Sequence, residues 1–147
     1  MRVVVQRSKH SKVSVDEEIV GKIESGLCIF VGFTESDEET DIDYIVKKVL
    51  NLRIFDDENG VMNKSILEVG GSILSISQFT LYADTKKGNR PSYIKAMKGD
   101  SAIKLYELFN QKLKEQVKVE TGIFGAEMLV NIENDGPITI IIDSKEK

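Results

Sequence analysis

The sequence predicts an α+β protein: a barrel-like, curved antiparallel sheet with two packed helices. Three observations predict it. Short β-branched and apolar stretches follow one another closely in the first third and again at the end of the chain. Two intervening segments carry apolar residues at helical spacing. No internal repeat, low-complexity run or linker divides the 147 residues, so one domain over 1–147 is expected.

The strands come first. Val3, Val4 and Val5 are β-branched, and Val13 and Val15 alternate with Ser14. Ile19 to Ile23 carries Gly21, which suggests a turn or bulge. Leu27 to Phe33 is a nearly continuous apolar run, as expected of a strand covered on both faces. A helix should follow, because Ser36 and Glu39 have capping-box spacing. Behind them Ile42, Ile45, Val46, Val49 and Leu50 draw one apolar stripe. Asn59-Gly60 then marks a tight turn, and the acidic residues before it read better as a solvated turn than as a calcium loop. A second strand-rich segment runs from Ile73 to Ala83. A second helix starts near Asp100, with Ala102, Tyr106, Phe109 and Leu113 as its buried stripe. Met128, Val130 and Ile132 alternate with polar or exposed positions, Asn134 to Pro137 reads as a turn, and Ile138 to Ile142 completes a final hairpin.

Composition narrows the function. Charged residues at 30% and hydrophobic residues at 41% belong to a soluble globular protein. The apolar stretch at the N-terminus is too short for a signal peptide or a membrane span, so a cytoplasmic protein without membrane contact is expected. The formal net charge of -4 argues against coating long nucleic acid, although it leaves room for gripping a terminus. Cys28 is the single cysteine and lies in an apolar run, which reads as a small buried hydrophobe. His10 is the single histidine. One of each cannot build a conventional zinc site, and a His-dependent triad would require His10 itself. No metal and no cofactor are expected.

Four stretches have the residue types for chemistry. In Ser75 to Tyr82, hydroxyls and an amide interrupt an otherwise apolar strand. Such groups either bond neighbouring backbone or floor a pocket, where strand-end amides and the Thr80 hydroxyl could meet an ester carbonyl. In Asn134-Asp135-Gly136-Pro137 the Gly-Pro bond admits a cis form, which would turn two carbonyls to one side as an acceptor pair for an ammonium group; an ordinary turn is the alternative. From Lys86 to Lys98 the basic residues Lys86, Lys87, Arg90, Lys95 and Lys98 occur with no acidic residue among them. They would track a few phosphates or form a solvated loop. In Thr121 to Met128, two glycines flank Phe124. That ring and Met128 could sandwich an unpaired base or simply fill the core.

At these segments the chain resembles the D-aminoacyl-tRNA deacylases. Ser77-Gln78-Phe79-Thr80-Leu81 and Asn134-Asp135-Gly136-Pro137-Ile138-Thr139 match the family's two signature motifs. The similarity continues through Gln6-Arg7, Arg53-Ile54-Phe55, Met62-Asn63, Gly70-Gly71, Lys87 to Pro91 and Thr121 to Met128. Ile138 stands where the family commonly has valine. The resemblance implies the family's barrel-like fold and a two-fold homodimer with the active site at the subunit interface. It implies a substrate, the 3′ end of aminoacyl-tRNA, whose ester to a D-amino acid or glycine is hydrolysed as chirality proofreading in translation. It places Ser77, Gln78, Phe79 and Thr80 at the catalytic centre, with main-chain N–H groups around Phe79 and Thr80 facing the oxyanion. Gly136 and Pro137, joined by a cis bond, would enter the partner's pocket and leave no room for an L side chain. Arg7 would brace the Gly-Pro tip of the partner, and Phe124 and Met128 would help bind the terminal adenosine. Thr80 lacks an obvious adjacent base, which makes its hydroxyl a poor nucleophile, and the resemblance implies that the substrate's own 2′-hydroxyl helps to activate water. Two rival readings are a Thr-dependent esterase on small esters and a non-catalytic binder of nucleic-acid ends.

Overall fold

A computed structural model describes all residues from Met1 to Lys147. The elements are β1 (Arg2–Val15), β2 (Glu18–Gly32), α1 (Glu39–Asn51), β3 (Phe55–Asp56), β4 (Met62–Lys64), α2 (Ile66–Val69), β5 (Ser72–Ser77), a 3₁₀ turn (Phe79–Tyr82), α3 (Gly99–Lys114), β6 (Lys118–Thr121) and β7 (Leu129–Asp143). The α+β class is as expected, with two long helices and one short turn of helix beside a sheet. The sheet itself differs from expectation. It is open and mixed, in the order β6-β5-β2-β1-β7. β1 is antiparallel to β2 and β7, whereas β5 is parallel to both β2 and β6.

The short strands read from the first third are two long ones. β1 and β2 pair from Arg2–Gly32 to Val15–Glu18, and their register slips once, between Val13 and Ser14 and opposite Val20, next to Gly21. Two apolar clusters lie on opposite faces of this sheet. Leu27, Ile29, Val31 and Ile73 point to the larger one, which also holds the stripes of α1 and α3. The alternate residues Cys28, Leu74 and Ile76 point to the smaller one. Val3 and Val5 of β1 face the larger cluster, yet Val13, at the same parity, faces the smaller. A regular strand cannot do this. The switch falls where His10 (φ 30°) and Gly26 (φ 144°) break the pleat.

The C-terminal hairpin is a correction. Both arms lie on β1, since Gln6 pairs with Thr139 and Ser8 with Asn134. Two steps along β1 therefore match five along β7, which leaves three extra residues in a wide bulge opposite Arg7. The strand read to Ala83 is also shorter, because regular pairing ends at Ser77.

Helix α1 buries the expected stripe, Ile42, Ile45, Val46, Val49 and Leu50. Its start is not capped by Ser36 and Glu39. Residues 34–37 close a turn in which the Asp37 amide donates to Thr34 O and the Thr34 amide to the Asp37 carboxylate. The capping box therefore falls on Glu38, whose amide donates to Asp41 Oδ2 at 2.9 Å. Helix α3 is N-capped by Lys98 rather than Asp100, which sits in the first turn with its charge near the positive end of the helix. Ala102, Tyr106, Phe109 and Leu113 are buried as read. No helix is long and apolar enough to cross a membrane.

Candidate active site

A cleft of about 540 Å³ opens where the end of β5 meets the 121–128 segment and the start of α3. Its floor comes from the strands, where Val31, Gly32 and Ile76 end the buried runs of β2 and β5. The Gln78 amide donates to Val31 O at 2.7 Å, and the chain then turns sharply into the 3₁₀ segment. Gly32 makes this approach feasible. A Cβ there would lie 2.9 Å from Gln78 O and 3.1 Å from the Leu81 Cβ. The first hydrogen bond of the turn runs from the Leu81 amide to Gln78 O. The N–H groups of Phe79 and Thr80 precede it, so the turn offers them no acceptor.

The side chains of this segment divide. Ser77, Gln78 and Phe79 line the cleft, and the Phe79 ring is 56% exposed. Thr80 is not among the lining residues, and its hydroxyl accepts a hydrogen bond from the Gln78 side-chain amide nitrogen. An amide group cannot serve as a general base, so nothing in this contact activates the hydroxyl. Behind the floor, the buried Tyr106 hydroxyl donates to Ser75 O at 2.7 Å. Burial pushes the Tyr106 phenol pKa up and keeps it a donor.

The opposite wall comes from Phe124, Ala126 and Met128. Gly125 (φ 78°) and a hydrogen bond from the Ala126 amide to Ile123 O turn the chain tightly after Phe124. Phe124 leans on Tyr106, with ring centroids 5.8 Å apart, and packs on the larger cluster. Met128 packs on the smaller one, passing over Gly122, where an added Cβ would meet its Sδ at 2.4 Å. Both side chains are half-buried. Each therefore packs on a core cluster and also lines the cleft.

Arg7, Gly136 and Pro137 are elsewhere. Arg7 is buried beneath the β7 bulge, donating to Ile54 O at 2.8 Å and lying 3.2 Å from Asp135 and 3.4 Å from Asp56. The neighbouring Gly136–Pro137 peptide is cis, and both residues are exposed. Neither lines the cleft of its own chain. His10 is equally remote. It pairs with Glu24 at 2.8 Å in a shallow, charged depression across β1, β2 and β7. Cys28 is fully buried, and burial pushes its thiol pKa up to about 12.

Sequence reasoning missed one wall altogether. Tyr93, Ala96, Met97, Gly99 and Ala102 also line the cleft, and Tyr93 meets Phe79 edge-on with centroids 5.1 Å apart. The only aromatic in the basic 86–98 segment was the available signal.

Comparison with known proteins gives this arrangement its setting. Over 147 residues the chain is 58% identical to a D-aminoacyl-tRNA deacylase of Clostridium tetani, covering 99% of each. It is 53% identical to a D-aminoacyl-tRNA deacylase of Thermus aquaticus, covering 100% of this chain and 97% of that one. Among solved structures, the c-Myc DNA Unwinding Element Binding Protein superposes with a TM-score of 0.92 at 37% identity, covering 97% of this chain and 98% of that chain. A probable eukaryotic D-amino acid tRNA deacylase shares the fold, with a TM-score of 0.82 at 19% identity over 96% of this chain and 97% of that chain. The fold and these relatives define a class, the hydrolases that remove acyl groups. The chain belongs to the D-Tyr-tRNA(Tyr) deacylase family, whose description matches residues 4–143.

Proposed function

We propose that this chain hydrolyses the ester between a D-amino acid, or glycine, and the 3′ end of tRNA, and that it works as a homodimer in the cytoplasm. One observation carries the reading. Two motifs nearly fifty residues apart, Ser77-Gln78-Phe79 and Phe124 to Met128, form facing walls of one cleft. A half-packed aromatic ring and thioether suit the flat face of a terminal adenine. The unaccepted amides of Phe79 and Thr80 suit the oxyanion that forms when water attacks the adjacent ester carbonyl.

In this scheme a water oxygen bonds to the acyl carbon, and negative charge collects on the former carbonyl oxygen, facing those amides. The carbon–oxygen bond to the ribose then breaks, and a proton passes to the ribose oxygen. The 2′-hydroxyl of the same ribose helps activate the water, which accords with a Thr80 hydroxyl bonded only to Gln78. Ser77 and Gln78 position the turn and line the acyl end. The exposed Gly136-Pro137 segment of a second copy, carried on the Arg7–Asp135 pair, fills the mouth of the cleft. There its carbonyls meet the α-ammonium group and its bulk excludes an L side chain. Glycine has no side chain to exclude.

The deciding experiment incubates the protein with matched D- and L-aminoacyl-tRNA and follows free amino acid. Release from the D substrate and glycyl-tRNA, but not from the L substrate, is expected. Equal release from both hands would remove the chirality reading. Turnover should also collapse on tRNA ending in 2′-deoxyadenosine, and normal turnover there would end the RNA-assisted scheme. The 37% identity to a protein named for binding a DNA element favours one second reading, a non-catalytic binder of nucleic-acid ends. Salt-sensitive binding without amino-acid release from any substrate would establish that reading instead.

A further inference from the structure

We propose that the loop from Asp84 to Ser92 holds the phosphates just 5′ of the terminal adenosine, with Tyr93 as the stacking surface for the penultimate base. This rests on the deacylase reading and extends it beyond the acylated nucleotide.

The loop is built onto the cleft. The Asp84 amide donates to Ser92 O at 2.8 Å and the Ser92 amide to Asp84 O at 2.9 Å, which closes the base of the loop. The Asp84 carboxylate accepts the Lys86 amide and pairs with Lys95 Nζ at 3.2 Å. Beyond that stem, the Thr34 hydroxyl donates to Lys95 O at 2.6 Å and Thr34 bridges Ala96, which ties the segment to the end of β2. A loop anchored at both sides has a fixed position relative to the cleft.

Its charges are free. Lys86, Lys87 and Arg90 are exposed, and no carboxylate lies within ion-pair distance of any of them. A merely solvated loop would also expose lysines. Three cations without an ion-pair partner, in a chain of net charge -4 and on the loop that leads straight into the cleft-lining Tyr93, fit a polyanion that emerges from that cleft. Tyr93 joins the two regions. It follows the stem directly, lines the cleft, meets Phe79 edge-on at 5.1 Å and remains 42% exposed. An exposed ring beside a slot for one base is the arrangement by which single-stranded nucleic acid is held one base further along.

The test separates the two readings by substrate. D-Tyrosyl-tRNA carries the upstream phosphates, whereas the D-tyrosyl ester of adenosine carries none. The triple variant Lys86→Ala/Lys87→Ala/Arg90→Ala should need roughly tenfold more tRNA for half-maximal single-turnover deacylation, while the adenosine ester is cleaved as by the parent. Raising salt fourfold should weaken the parent more than the variant, by about 2.6-fold per phosphate contact removed. Tyr93→Ala should weaken the tRNA substrate by roughly tenfold, and Tyr93→Phe should restore it. An unchanged salt dependence, or equal losses on both substrates, overturns the phosphate assignment. Equal losses in Tyr93→Ala and Tyr93→Phe overturn the stacking role. Failure of the parent on both substrates removes the deacylase reading and this inference with it.

Discussion

Gly32→Ala tests whether the cleft floor depends on close backbone approach. The added Cβ would lie 2.9 Å from Gln78 O, 3.1 Å from the Leu81 Cβ and 3.4 Å from the Tyr82 Cδ2. Ordinary van der Waals contact begins near 3.4 Å, so the 79–82 turn must recede by about 0.5 Å. The first obstacle is a main-chain carbonyl, which cannot swing aside as the Met128 thioether over Gly122 can. Overpacking of this kind costs about 1–3 kcal/mol. Restricting the unfolded chain returns about 0.4–1 kcal/mol, so a net loss of up to about 2.6 kcal/mol is expected. The catalytic effect should be larger than the modest stability loss suggests. A misplacement of about 1 Å costs roughly a hundredfold in rate, and half that distance roughly tenfold. Urea unfolding gives the first quantity and single-turnover deacylation of D-tyrosyl-tRNA, under conditions where the variant is folded, gives the second. A variant as stable and as fast as the parent would refute the claim that Gly32 sets the position of the turn.

Three further outcomes are expected. Thr80→Ala removes only the acceptor of one Gln78 hydrogen bond, so deacylation should fall by no more than about tenfold. Losing a true nucleophile costs about a millionfold, and complete loss with normal binding would restore covalent catalysis. Cys28 should resist thiol reagents at mildly alkaline pH in the folded protein and react once per chain in urea, because burial pushes its pKa up to about 12; rapid reaction of native protein would contradict that burial. Burial acts to raise the Asp41 pKa, but hydrogen bonds from Ser144, the Glu38 backbone and Lys145 prevail and lower it from 3.8 to about 2. Its contribution to stability is therefore present above the unfolded value and is lost as pH falls through that interval. Asp41→Asn should flatten the acid limb of a urea-midpoint titration, and an unaltered limb would show the carboxylate to be inert.

What the sequence disclosed follows from the range of each interaction. The stripe of α1 was legible because Ile42, Ile45, Val46, Val49 and Leu50 meet one cluster from one helix face, a local periodicity. The α1 cap was misplaced by two residues, because Ser36 and Glu39 have the right chemistry but the Thr34–Asp37 turn takes up that stretch first. The supposed C-terminal hairpin shows the opposite limit. Asn134 to Pro137 carries every local turn signal, yet β1, more than a hundred residues earlier, pairs with both arms and converts the turn into a bulge. The parallel placement of β5 was equally invisible, since a buried run such as Ile73 to Ile76 does not name its partner. Within the cleft, Ser77 to Phe79 and Phe124 to Met128 stood out by composition. Tyr93, Ala96 and Met97 did not, because their place depends on the Asp84–Ser92 and Thr34–Ala96 bridges.

The cleft wall built from Phe124 and Met128 has two separate foundations. Phe124 rests on the helix-covered cluster and Met128 on the small cluster across the sheet, where Cys28, Leu74 and Ile76 lie. Trimming a side chain beneath one jaw leaves the other standing, and effects from well-separated sites of this kind add. The shape of that wall thus has two adjusters that turn independently, so selection or design can loosen one and tighten the other without rebuilding the scaffold.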